Sequence, residues 1–265
     1  MKFSGQIIKM ATHASTVVQY YLNLSSDLIH INELIGKEFS ISLIGYQCVS
    51  CGSDEKLFRM GFCKKCFFES PYASETIIRP ELSRAHLGEE ERDLEIEKQI
   101  QLVPHIVYLS HTGDLKVGVT REHQIPTRWI DQGANSALVI AKTENRYEAG
   151  MIEVALKKKL SDKTNYKKML LTSEGEFATD LLNERDLLRE FVPEEYQQFL
   201  LSDQQVVTIA YPYTPPIKVV PFTLEKVPNF KGTLQGIKGQ YLSFGDSFVF
   251  NVRNHEGYVV DLEVC

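Results

Sequence analysis

The stretch His105-Ile106-Val107-Tyr108-Leu109-Ser110-His111-Thr112-Gly113-Asp114-Leu115-Lys116-Val117-Gly118-Val119-Thr120 decides how the middle of this chain folds. Residues 106–109 and 115–119 are runs of β-branched and apolar side chains. Thr112-Gly113-Asp114 between them supplies the chemistry of a tight reversal. The reading is a β-hairpin with Tyr108 on its first strand and Lys116 and Gly118 on its second. Residues 136–142 (Ser-Ala-Leu-Val-Ile-Ala-Lys) predict a buried third strand. A helix is expected over about 147–160, because Ala149, Ile152, Leu156 and Leu160 fall on one stripe.

Working outward, Ser173 and Glu176 pair as a capping box. Phe177, Leu181, Leu188 and Phe191 then recur at helical spacing as a core stripe, and Pro193 ends it. Upstream, the charge-dense run 81–100, with Glu89-Glu90-Glu91 and further acids to Glu97, reads as a solvated helix face or linker. Residues 1–47 are β-rich, with strand patterns at 17–22 and 39–44. From Val206 onward β patterns return at 206–209, 241–244, 248–250 and 258–260. Gly232, Gly236, Gly239 and Gly245 punctuate them as turns or bulges. The two ends could share one sheet or small barrel, leaving the middle as an inserted domain. The expected class is α+β: β-rich terminal regions, a four-cysteine segment and a small central antiparallel sheet flanked by helices. The expected division is a β-rich region 1–47, a cysteine segment 48–70, a charged linker or helix 71–103, a central domain 104–172, a helical segment 173–203 and a β-rich region 204–265.

The 265 residues are 43% hydrophobic and 24% charged, the composition of a folded chain with a real core rather than a disordered or collagen-like one. A formal charge of −6 excludes a uniformly basic coat, but the charge is uneven. Residues 116–170 carry eleven bases against six acids, and residues 171–205 carry nine acids against two arginines. The basic middle can attract phosphates, although Lys157-Lys158-Lys159 alone is also what a solvated helix face looks like. The start of the chain lacks the apolar run of a signal peptide, and no stretch reaches the ~18 apolar residues of a membrane span. The expectation is a cytoplasmic protein with no membrane partner and reduced thiols.

Cys48-x2-Cys51 and Cys63-x2-Cys66 are two CxxC pairs separated by eleven residues. Four thiolates satisfy a tetrahedral Zn²⁺, and each pair forms a knuckle aimed at one ion, with Gly52 and Gly61 suited to its turns. Cys48, Cys51, Cys63 and Cys66 are therefore expected to hold one structural zinc through a short hairpin. Four thiolates leave no open position for catalysis. Cys265 stands apart at the chain's end.

The central stretch resembles the core of the GIY-YIG nucleases. Ile106-Val107-Tyr108 takes the place of the first signature tripeptide and Lys116-Val117-Gly118 that of the second, with Ile106 for the first Gly and Lys116 for the second Tyr. The resemblance implies a small antiparallel sheet, an arginine on the next helix and a metal-binding glutamate on a later one. Arg121 or Arg128 matches the arginine, with Arg128 better placed, and Glu153 matches the acid. Asn165 corresponds to a polar residue near the domain's end. The implied reaction is hydrolysis of a nucleic-acid phosphodiester, DNA or RNA. Tyr108 would position or activate water, Arg128 and Arg121 would neutralise phosphate, Lys116 would touch phosphate or tune the tyrosine, and Glu153 would hold Mg²⁺ or Mn²⁺. The chain as a whole also resembles a bacterial family of unknown function, through Gly118-Val119-Thr120-Arg121, Pro126-Thr127-Arg128-Trp129-Ile130-Asp131-Gln132-Gly133-Ala134, Asp162-Lys163-Thr164-Asn165 and Gly236-Ile237-Lys238-Gly239-Gln240-Tyr241-Leu242. Two rival readings are a non-catalytic zinc-containing nucleic-acid-binding module and a protein-interaction adaptor. Convergence of Tyr108, Arg128 and Glu153 separates the enzyme from both.

Overall fold

A computed structural model describes residues 1–160, 165–173 and 180–265. In chain order, β1 (Lys2–His13), β2 (Gln19–Leu24), β3 (Asp27–His30) and β4 (Glu38–Tyr46) precede the cysteine segment, which ends in α1 (Lys64–Glu69). Next come α2 (Leu94–Gln101), β5 (His105–His111), β6 (Leu115–Arg121), α3 (Thr127–Asp131), β7 (Ser136–Thr143), α4 (Arg146–Lys157), α5 (Tyr166–Leu171), α6 (Leu181–Leu188) and β8 (Val207–Thr208). The chain closes with β9 (Val220–Phe222), β10 (Asn229–Lys238), β11 (Tyr241–Phe244), β12 (Phe248–Asn251) and β13 (Tyr258–Val264). The class is α+β. The chain divides into two compact units, one built from residues 1–68 and 210–265, the other from residues 69–209.

In the first unit the chain ends share a nine-stranded sheet of order β3-β2-β1-β13-β4-β10-β11-β12-β9. β1 runs antiparallel to β13 with Phe3 opposite Leu262, and β13 runs antiparallel to β4 with Leu262 opposite Ile41. Tyr20, Leu24, Phe39, Phe244 and Phe250 are buried in its core. Gly232 does not mark a turn. It lies inside the ten-residue β10, opposite Phe39 of β4. Gly236 sits at a register shift in the β10–β11 pairing, and Gly239 and Gly245 take positive φ in the reversals that follow. The strand expected over 206–209 shrinks to β8, which belongs to the second unit, pairs with β7 there and leaves Val206 and Val207 exposed. Two residues at a sheet edge have too little partner surface to bury.

The second unit holds a four-stranded sheet of order β6-β5-β7-β8. β5 is central and every one of its residues is buried, whereas an edge strand would alternate. Val107, Leu109, Leu138 and Ile140 pack against Ile152 and Leu156 of α4 and Leu181 and Leu188 of α6. Asn145 caps α4 by accepting from Glu148 N, which fixes the helix start two residues after β7. The charge-dense run is only partly a solvated face. Glu97 is buried, accepting the backbone N–H groups of Arg92 and Asp93 at one carboxylate oxygen and Glu91 at the other. Its carboxylate ties off the amides ahead of α2, which polarity alone does not reveal. Glu176 and Phe177 of the expected capping box and stripe, and Asp162-Lys163-Thr164, lie outside the described residues. Within them, α6 opens at Asp180, whose carboxylate accepts Leu182 N and Asn183 N. Phe191 is not core. It is exposed beneath the Lys159 ammonium, 4.3 Å from the ring centroid.

Candidate functional site

The hairpin register sets Tyr108 directly opposite Gly118. A Cβ at Gly118 would lie 2.6 Å from the Tyr108 hydroxyl, so the phenol can lie across β6 only because that residue has no side chain. Gln132, just past α3, donates Nε2–H to the hydroxyl at 2.7 Å, and Trp129 meets the ring edge-on at 5.9 Å between centroids. Tyr108 has 0% exposure. Burial pushes its phenol up, against the opposing pull of the Arg128 charge and the Gln132 hydrogen bond.

Lys116 leaves β6 with 7% exposure. Burial, then the positive charge of Arg128, draws its ammonium down to about 7, with Glu153 opposing. Glu153 is 6% exposed in the middle of α4, and its Oε2 pairs with the Lys157 ammonium at 3.3 Å. Burial pushes its carboxyl up, Lys157 and Arg146 pull it back, and Glu81 adds to the rise.

The charges of Arg128 and Glu153 thus act on both Tyr108 and Lys116. Arg121 lies at the end of β6, opposite His105, and its charge is felt by His105 and Arg146. Asn165 serves as the cap of α5, accepting Lys167 N and Lys168 N, which is a structural task.

Three participants escape the sequence reading. Arg146, at the first turn of α4, donates to Thr76 O at 3.0 Å and Ile77 O at 2.8 Å, and burial draws it down to about 10. Glu81 reaches the same face because Gly150 lets the 3-10 turn Pro80–Leu82 press on α4: a Cβ there would sit 2.4 Å from Glu81 N. His105 is buried beside them and held down to about 4, by burial first and then by Arg146, Arg121 and His123. The available signal was Gly150, a glycine inside a helix where alanine would be favoured by about 1 kcal/mol unless something packs there.

In the other unit the sulfurs of Cys48, Cys51, Cys63 and Cys66 lie within 4.8 Å of one another, and Cys51 Sγ is 3.9 Å from Cys63 Sγ. A tetrahedron with Zn–S bonds of about 2.3 Å has edges of about 3.8 Å, so the spacing fits. Gly52 and Gly61 take positive φ of 73° and 77° in the two turns. Backbone N–H groups of Cys63 and Cys66 point at Cys48 Sγ and Cys63 Sγ at 3.3 and 3.5 Å. Hydrogen bonding to Ser53 holds the Cys51 thiol down to about 6, and hydrogen bonding to Cys51 pushes Cys66 up to about 12. Negative charge therefore gathers on a sulfur facing three others, and the four could hold a metal ion such as zinc. Cys265 is exposed and outside this cluster. Among the described residues no helix is long and apolar enough to cross a membrane.

A family model described as "Protein of unknown function (DUF2797)" matches residues 36–260. No curated protein and no solved structure matches the chain.

Proposed function

The chain belongs to this family of unknown function, and from its own geometry we propose that the 69–209 unit hydrolyses nucleic-acid phosphodiester bonds with a GIY-YIG-like core. The observation that supports this reading is that the charges of Arg128 on α3 and Glu153 on α4 act on both Tyr108 of β5 and Lys116 of β6. The order agrees with the resemblance: a tyrosine strand, a glycine strand paired with it, an arginine on the next helix and a glutamate on a later one. A packing core does not require two cations and a carboxylate beside a buried phenol.

In this reading water attacks phosphorus, the bond to the leaving alcohol oxygen breaks, the proton shed by the water passes to solvent, and the leaving oxygen takes a proton from solvent. Arg128 and Lys116 would bind the non-bridging oxygens, where charge grows in the transition state. Tyr108, kept protonated by burial and fixed by Gln132, would orient the attacking water rather than ionise. Arg121 would contact a neighbouring phosphate. Glu153, a buried carboxylate paired with Lys157, would hold a divalent cation in place of that ammonium. Mg²⁺ or Mn²⁺ bound there would neutralise part of the developing phosphate charge. The four-cysteine site would hold structural zinc.

One observation favours the non-catalytic rival: Tyr108 exposes no surface. The deciding experiment is a cleavage assay on single- and double-stranded DNA and RNA with Mg²⁺ or Mn²⁺, with Glu153→Ala in parallel. The expected result is cleavage that Glu153→Ala and Arg128→Ala each reduce by at least about 100-fold. No cleavage of any substrate, or cleavage unchanged by Glu153→Ala, rejects the reading.

A further inference from the structure

The four-cysteine hairpin carries more than metal ligands. Residues 56–68, Lys-Leu-Phe-Arg-Met-Gly-Phe-Cys-Lys-Lys-Cys-Phe-Phe, hold four cations between the exposed acids Asp54, Glu55 and Glu69. Phe58, Phe67 and Phe68 pack on one another with centroids 5.2, 5.3 and 5.7 Å apart. They do not form a closed core, because Phe58 remains 43% and Phe68 57% exposed. The Arg59 guanidinium lies 5.4 Å from the Phe58 centroid and 6.0 Å from that of Phe67. Lys56 lies 3.9 Å from Glu225, but Arg59, Lys64 and Lys65 are exposed and make no ion pair among the described residues. Beside this surface opens a cleft of about 500 Å³, lined in part by Val49, Met60, Phe62 and Arg253. Arg253 is likewise exposed and without an ion pair among the described residues.

Exposed rings next to cations that form no ion pair among the described residues suit a partner with flat faces and regular negative charge. We infer that the face formed by Phe58, Phe68, Arg59, Lys64 and Lys65 binds single-stranded nucleic acid, its bases stacking on the two phenylalanines and its phosphates meeting the cations. Unpaired bases offer the π-faces that such rings take, at any sequence, whereas a duplex hides them. A second copy of the chain fits poorly, since a two-fold contact would set these cations against themselves. An acidic polypeptide would satisfy the charges but leave the exposed rings unused. The surface belongs to a different unit from the proposed catalytic residues, and the inference shares with the preceding reading only the class of partner.

The test uses the full chain without added Mg²⁺ or Mn²⁺ and fluorescently labelled 15-nucleotide oligo-dT and oligo-U, followed by anisotropy at 50 and 200 mM salt. Zinc content and sedimentation are measured alongside for every variant. The expected result is binding that weakens with salt. Phe58→Ala with Phe68→Ala should weaken it at least tenfold at unchanged zinc content. Lys64→Gln with Lys65→Gln should reduce the salt slope by about 1.4, the value for two phosphates of a single strand. Four outcomes overturn the inference: no binding by the wild type; unchanged affinity in the phenylalanine pair; equal affinity for a polyglutamate of the same charge; or a wild-type dimer that the phenylalanine pair dissociates. Failure here is separable from failure of the hydrolase reading. Glu153→Ala removes cleavage while leaving this binding in place, and the phenylalanine pair reports on binding when no cleavage occurs at all.

Discussion

Tyr108 and Gly118 face each other across β5 and β6, and the glycine is required by its neighbour's ring rather than by its own backbone angles. Gly118→Ala should destabilise the 69–209 unit by about 1–3 kcal/mol, read as a lower urea midpoint. Two titrating residues give pH predictions of defined sign. His105 is held down to about 4 in the fold against about 6.5 when unfolded. Its neutral form supports stability fully above pH 6.5, and that support is lost as the pH falls from 6.5 toward 4, on the order of 3 kcal/mol in all. His105→Gln should flatten this acid limb in urea titrations at pH 4.5 and 7. Lys116 is held down to about 7 against about 10.4 unfolded. The unfolded chain therefore binds more protons between those values, and stability rises with pH across that window. Lys116→Met should raise the melting temperature at pH 7, by on the order of 1–4 kcal/mol in stability, with the gain fading by pH 10.5. A stability gain paired with loss of cleavage would mark Lys116 as a residue kept for chemistry.

At the scale of elements, the hairpin, the third strand and α4 were legible because their side chains obey simple periods. β5 and β6 run over 105–111 and 115–121, close to the expected strands, and Gly113 takes a φ of 89° in the turn between them. The missed elements are those where local polarity misleads. Glu97 looks solvated yet serves as a buried acceptor, and β10 carries glycines at 232 and 236 yet remains one strand, because β4 and β11 supply its hydrogen bonds. α4 offers the sharpest test. Gly150→Ala should gain about 1 kcal/mol of helix propensity, but its methyl would enter the backbone of residues 80–81. The net expectation is destabilisation by about 1–3 kcal/mol and displacement of Glu81, visible as a lower melting temperature and faster amide exchange over residues 79–82.

At the scale of the whole molecule, the 69–209 unit interrupts the 1–68/210–265 unit, and the four cysteines belong to the latter alone. Removing the metal with a chelator should lower the thermal transition of the nine-stranded unit and leave that of the other where it is. Calorimetry with and without chelator, with zinc content followed in parallel, reads both. By itself the sequence determined the local matters: the hairpin, a helix expected over 147–160 and found over 146–157, the knuckle turns and the four clustered thiols, since spacing along the chain fixes which side chains share a face or a turn. Only the tertiary structure decided that the strands of the two chain ends, which the sequence left free to share a sheet, do join one, and that Glu81 stands beside Glu153. Those neighbours are far apart in the chain, and long-range pairing and burial have no signature in the local order of residues.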